Sequence, residues 1–130
     1  MIKFYLYLNS ILYLLFGVWC AVDPTWTSSA VGFSLPGAQG FAEYVAVYGG
    51  MEFGIGVFFL FTALKKQLTQ AGILFGACFY TGIFVFRSFA LMQVGLDIGA
   101  GLNFYISEGL LTAWSLYILF QQSRRTTESA

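Results

Sequence analysis

Residues 41–64 read FAEYVAVYGGMEFGIGVFFLFTAL, and this stretch decides the fold because it is long, almost entirely apolar and bounded by Lys65 and Lys66. A helix that crosses a bilayer needs about 20 mostly apolar residues. The stretch nevertheless contains two carboxylates, Glu43 and Glu52. It therefore predicts a membrane-spanning helix that carries ionisable groups at membrane depth, where they are costly and usually mark a function.

Three further apolar segments surround this stretch, at residues 4–22, 71–96 and 103–120, and a polar tail follows at residues 121–130. Only 9% of the 130 residues are charged, whereas soluble domains carry about 25%. The sequence thus predicts an all-α integral membrane four-helix bundle that forms a single domain over residues 1–130. Its loops are short, except for a longer connection at residues 23–40 that is rich in Thr, Ser, Gly and Pro.

The charged residues at the segment ends predict the orientation of the bundle. Basic flanks of membrane helices stay in the cytoplasm. The basic flanks all fall on one side of the four crossings: Lys3, Lys65, Lys66, Arg124 and Arg125. Asp23 and Asp97 fall on the other side. We therefore expect a multi-pass protein with both termini inside and residues 23–40 outside.

Four charged side chains are predicted to meet within the outer half of the bundle. Glu43 and Glu52 lie on the second segment, Arg87 on the third and Glu108 on the fourth. A guanidinium group can bind two carboxylates through its planar fork, so Arg87 is expected to bridge Glu108 and Glu52. Such a cluster is either a ligand-binding site or a buried ion pair that fixes the register of the helices.

Further polar side chains share helical faces with this cluster. Tyr48 shares a face with Glu52, Tyr80 shares one with Arg87, and three residues of the last segment form one stripe: Glu108, Thr112 and Ser115. Hydrogen bonding between helices is the favoured role of the Thr112 and Ser115 hydroxyls. Gly50 and Gly54 form a small-xxx-small pair, for which internal packing is favoured over a homodimer seam.

Several functional classes are disfavoured by what the sequence lacks. It contains no histidine, which removes the commonest general base and metal ligand. No nucleophile is paired with a base, so we expect no catalytic residues, no metal, no cofactor and no enzymatic activity. The net charge of zero argues against a nucleic-acid partner.

The chain resembles the DUF4345 family of small four-helix bacterial membrane proteins. The resemblance rests on residues 48–56, which read YGGMEFGIG on the second segment, together with Arg87 and Glu108, and it extends over essentially the whole chain. It implies a location in the bacterial inner (cytoplasmic) membrane. Some such proteins look like accessory subunits of membrane-associated oxidoreductases, and the family supplies no catalytic residues.

Three functions remain open at the level of the sequence. The first is an accessory or anchor subunit that binds a larger membrane partner, with Trp26, Phe33 and Leu35 of the outer connection as candidate contacts. The second is a binder of a lipophilic ligand, such as a quinone, fatty alcohol or lipid, at Glu52, Arg87 and Glu108. The third is a small proton-coupled transporter, and a homo-oligomer is compatible with all three.

Overall fold

The computed structural model describes residues 1–94 and 102–127, with side chains through 93 and from 102 to 124. All regular structure in these residues is helical, which confirms the all-α class, and they contain no β-strand. The chain consists of two compact units, Met1–Thr69 (unit 1) and Gln70–Ala130 (unit 2). The predictions for Gly95, Asp97, Gly99 and Gly101, together with the end of the third segment at Leu96, fall outside the described residues.

Unit 1 contains two long helices joined by a shorter one. The helix α1 spans Ile2–Val22, and α2 spans Pro24–Ala30. The second long helix runs without a break and has three parts: α3 (Gly37–Tyr44), a π-helical segment (Val45–Met51) and α4 (Glu52–Leu64). A 3₁₀ turn at Lys66–Leu68 closes the unit.

The backbones of α1 and the second long helix touch where glycines face each other. A Cβ atom added to Gly17 would lie 2.6 Å from the backbone nitrogen of Phe53 and 2.8 Å from the carbonyl oxygen of Gly49. A Cβ atom on Gly56 would lie 2.7 Å from the backbone nitrogen of Leu14. The two helices are therefore antiparallel and approach each other as closely as small residues allow.

The expected close packing at Gly50 and Gly54 is not observed. A Cβ atom on Gly54 would meet nothing within 4 Å, and one on Gly50 would meet only the carbonyl oxygen of Val45 at 4.0 Å. The helix presents Gly49 and Gly56 to α1 instead. Both glycine pairs have spacings that suit one face of an α-helix, so the spacing alone does not decide between the two faces.

Unit 2 contains α5 (Thr69–Val94) and α6 (Leu102–Thr127). Side chains of α5 meet those of α6 in reverse order along the chain, since Thr112 contacts Tyr80 and Tyr105 contacts Ser88. The two helices are therefore antiparallel. Helix α6 continues through Thr127, beyond the predicted end at Phe120. The Gln and Arg residues at 121, 122, 124 and 125 favour a helix, so the polar tail does not end it.

Three described stretches are long and apolar enough to cross a membrane: Ile2–Val22, Gly37–Leu64 and Lys66–Gln93. They make this a membrane protein with transmembrane helices. The fourth predicted span lies in α6, which is more polar than the other long helices. The four-helix membrane bundle and its single domain stay predictions.

The prediction of an irregular loop over residues 23–40 is wrong for most of its length. Asp23 accepts a hydrogen bond from the Trp26 amide at 3.1 Å through its Oδ1, and Pro24 occupies the first turn of α2. An Asp N-cap followed by Pro is a strong helix start. The irregular backbone is confined to residues 31–36, where Gly32 has a φ of 80° that glycine adopts without strain.

Candidate functional site

Arg87 and Glu108 form a two-pronged ion pair between α5 and α6. The Arg87 Nε donates to Oε2 of Glu108 at 2.5 Å, and its Nη2 donates to Oε1 at 2.6 Å. The side chain of Glu108 is 15% exposed and that of Arg87 is 42% exposed. Both carboxylate oxygens of Glu108 are thus taken by one guanidinium group, the geometry that gives such pairs their directionality.

Hydroxyl groups on α6 continue the contact below the ion pair. The Thr112 hydroxyl lies 3.0 Å from the Tyr80 carbonyl oxygen on α5 and 2.7 Å from the Glu108 carbonyl oxygen on its own helix. Ser115 is fully buried and donates to the Leu111 carbonyl at 2.6 Å. Tyr80 is also buried. The Thr112 hydroxyl therefore links the two helices, whereas the Ser115 bond lies within α6.

Replacing Thr112 with valine is expected to destabilise unit 2 by about 1 kcal/mol, because polar links between membrane helices contribute about 0.6–1.7 kcal/mol. The shape of the side chain is kept, so the change removes the hydroxyl and little else. Ser107→Ala is the matched control, since the Ser107 hydroxyl is exposed and donates only to the Phe104 carbonyl of its own helix. Reversible unfolding in mixed micelles measures the free energy of unfolding of both variants. Equal losses of stability in the two variants would contradict the interhelical role of Thr112.

Glu52 lies in unit 1, directly after the π-helical segment. Its side chain is partly buried, and its Oε2 atom is shielded from solvent without a hydrogen-bond partner among the described residues. Isolated π-helical turns occur often at functional sites. The predicted bridge from Arg87 to Glu52 joins the two units and stays a prediction.

Two further residues of the predicted cluster, Glu43 and Tyr48, have different surroundings. Glu43 is exposed and accepts a hydrogen bond from Gln39 Nε2 at 3.0 Å, one turn earlier in α3. Tyr48 stacks on Tyr44 with ring centroids 4.8 Å apart and contacts the Phe33 ring at 5.3 Å. Tyr48 thus supports the outer connection, while Glu43 stands on an exposed helix face.

The connection at residues 23–40 (the outer connection) is held against the two long helices of unit 1 by aromatic rings at two points. Trp26 stacks on Trp19 of α1 with centroids 4.8 Å apart. Phe33 packs on the Tyr44–Tyr48 pair of the second long helix. Trp26 and Phe33 are still about half exposed, at 54% and 49%. The connection is therefore fixed in place while it presents apolar surface.

An open cleft with a volume of about 490 Å³ lies between the outer connection and the start of α3. One wall carries the hydroxyls of Thr25, Ser28 and Ser29, and the other carries the apolar side chains of Phe33, Leu35 and Phe41. None of the residues that line it is charged. Sequence reasoning found Phe33 and Leu35 but missed the hydroxyl wall. The Asp23–Pro24 helix start would have revealed it, since a helix from Pro24 places Thr25, Ser28 and Ser29 on one face.

No group of three or more His, Cys, Asp or Glu side chains in the described residues is arranged to hold a metal ion. No protein-family model, no curated protein and no solved structure matches this chain. The resemblance to the DUF4345 family stays a prediction.

Proposed function

We propose that this protein is a small, non-catalytic accessory or anchor subunit of a larger membrane-associated protein, with an oxidoreductase as the candidate partner. One observation carries the proposal: the outer connection is held rigidly by a capped helix and two aromatic contacts, yet exposes Trp26 and Phe33. Ordered aromatic surface of this kind is enriched at protein interfaces. A flexible loop would lose more conformational entropy on binding.

The proposal includes a four-helix bundle in the bacterial inner membrane, with both termini in the cytoplasm. Within unit 1, Tyr5 contacts Phe59 near one end of the helix pair and Ala21 lies against Gly49 near the other. Lys3 and Lys65 therefore stand at the same end, and Asp23 at the opposite end. This distribution of charge supports an outer connection that faces away from the cytoplasm.

Trp26→Ala is expected to reduce recovery of the partner by at least tenfold when the chain is purified from its own membrane in mild detergent, because exposed Trp side chains commonly dominate interface energies. Recovery is measured by quantitative mass spectrometry of the co-purified chains. Phe120→Ala is the matched control, since Phe120 is 68% exposed on α6 and belongs to the predicted cytoplasmic end. Absence of any stoichiometric partner from the wild-type chain, or equal losses in both variants, would overturn the proposal.

A second candidate function is binding of a lipophilic ligand at Glu52. The observation that favours it is the buried Oε2 atom, which has no hydrogen-bond partner within the described part of the chain, since buried polar atoms are nearly always satisfied. A polar headgroup that donates to this oxygen would supply the missing bond. Glu52→Gln is expected to release a co-purified lipophilic mass while the helices stay folded, and retention of that mass would remove this candidate.

A further inference from the structure

The cleft along the outer connection is lined by hydroxyl groups on one side and by apolar side chains on the other. Its volume is about 490 Å³ and it is wide open on one side, so a bound molecule would extend beyond it. The Ser29 and Thr25 side chains are exposed, so their hydroxyls remain accessible to a bound molecule. Ser28 is buried and donates to the Thr25 carbonyl at 3.1 Å, which holds the polar wall in shape.

The floor of the cleft adds hydrogen-bond donors of another kind. Gly37 lines it and is the first residue of α3. Pro36, at the N-cap of α3, makes no side-chain capping bond. The first amide groups of a helix lack partners within the helix. The Gly37 amide is therefore a candidate donor to a ligand oxygen, in addition to the hydroxyl groups of the cleft.

The opposite wall of the cleft is apolar and can contact the hydrocarbon part of a ligand. Phe33, Leu35 and Phe41 are apolar, and Phe33 is held in place by its contact with the Tyr48 ring. Phe41 is 45% exposed and stands where α3 enters the span Gly37–Leu64. A hydrocarbon chain leaving the cleft along Phe41 would follow the side of this helix into the bilayer.

From this arrangement we infer that the cleft binds a single-chain amphiphile with an uncharged, oxygen-rich headgroup, such as a monoacylglycerol. The donors receive ester and hydroxyl oxygens of the headgroup, and the apolar wall holds the first part of the acyl chain. None of the lining residues is charged, so the cleft offers no side-chain ion pair to a phosphate or an amine, and an uncharged headgroup loses no ionic contact there. The inference shares Phe33 with the proposed partner surface, but its test uses the full chain and lipid alone, so its outcome does not depend on a protein partner.

Native mass spectrometry of the full chain, released from phosphatidylcholine nanodiscs and titrated with 1-monooleoylglycerol, tests the inference. We expect one saturable adduct, formed at a concentration at least tenfold lower than that needed for oleic acid, which has the same chain and a charged head. Leu35→Trp fills the cleft and is expected to weaken the adduct at least tenfold. Ala46→Trp is the control, since Ala46 is exposed and does not line the cleft.

Ser29→Ala keeps the inference testable if the bulky variant fails to fold. It adds no volume and is expected to weaken binding about fivefold, the equivalent of one ordinary hydrogen bond. Ser34→Ala, an exposed serine that does not line the cleft, is expected to bind like the wild type. Tighter binding of 1-oleoyl lysophosphatidic acid than of the glyceride would overturn the inference and assign the site to an anion. Binding that is equal in Ser29→Ala and Ser34→Ala would overturn it as non-specific lipid uptake.

Discussion

Gly17→Ala is expected to destabilise unit 1 by about 2 kcal/mol or more, although alanine is the better helix former. The new methyl group would lie 2.6 Å from the Phe53 nitrogen and 2.8 Å from the Gly49 oxygen. Both are backbone atoms, so no side chain can rotate away and the two helices must separate. Overpacking of this kind costs about 1–3 kcal/mol and sometimes more, which exceeds the gain of about 1 kcal/mol in helix propensity.

Gly54→Ala is the matched control for this prediction. Gly54 is also a helical glycine of unit 1, but a Cβ atom there would meet nothing within 4 Å. Its replacement is expected to leave the free energy of unfolding unchanged or to raise it by up to about 1 kcal/mol. Reversible unfolding by sodium dodecyl sulfate, followed by circular dichroism, measures both variants. Equal effects at the two positions would show that the observed glycine contact does not limit the packing of α1.

The long helices could be predicted from the sequence because the signals that define them are local. Apolar length fixes the spans, and the Asp23–Pro24 and Lys65–Lys66 pairs end α1 and α4 within one residue of the predicted positions. A proline after an aspartate and a run of lysines act on the backbone or on its solvation wherever they occur. These local features predict where a helix ends without any information about the neighbouring helices.

The face that the second long helix presents to α1 could not be predicted from its glycines alone. Gly50 and Gly54 share one face of an α-helix, and Gly49 and Gly56 share another. Periodicity therefore offers two candidate faces, of which the structure brings Gly49 and Gly56 against α1. The choice depends on the partner helix, where Gly17 and Leu14 receive the second helix.

One part of the candidate site, the ion pair, could be predicted from the sequence. The other part, the cleft, depends on contacts between residues that are distant in the chain. The pairing of Arg87 with Glu108 followed from charge and depth, since opposite charges at similar membrane depth have few other partners. The cleft was missed because its walls come from residues that are unremarkable one by one, such as Thr25 and Ser29. Only the turn at Gly32 and the stacking of Trp26 on Trp19 bring these residues opposite Phe41.

Arg87→Met is expected to destabilise unit 2 by about 1–2 kcal/mol, since the largely buried Glu108 carboxylate loses both of its hydrogen bonds to the guanidinium group, whereas the exposure of Arg87 keeps the cost below that of a fully buried pair. Glu108 is the more enclosed partner, at 15% exposure, and both of its oxygens lose their donors. The Arg87→Met/Glu108→Gln double variant is expected to lose less than the sum of the two single changes. Reversible unfolding of the wild type, of Arg87→Met, of Glu108→Gln and of the double variant yields the coupling energy of the pair.

The exchanged pair, Arg87→Glu with Glu108→Arg, separates a structural ion pair from a ligand site. If the two charges serve only to fix the register of α5 and α6, the exchange is expected to restore at least half of the lost stability. If they orient a ligand, stability returns while the ligand does not, because the donor and acceptor positions are reversed. Arg124→Met is the control, since Arg124 stands over the Phe120 ring at the end of α6 and its removal is expected to cost less than about 0.5 kcal/mol. Strictly additive losses in the double-variant series would show that the two-pronged contact contributes nothing to holding the helices together.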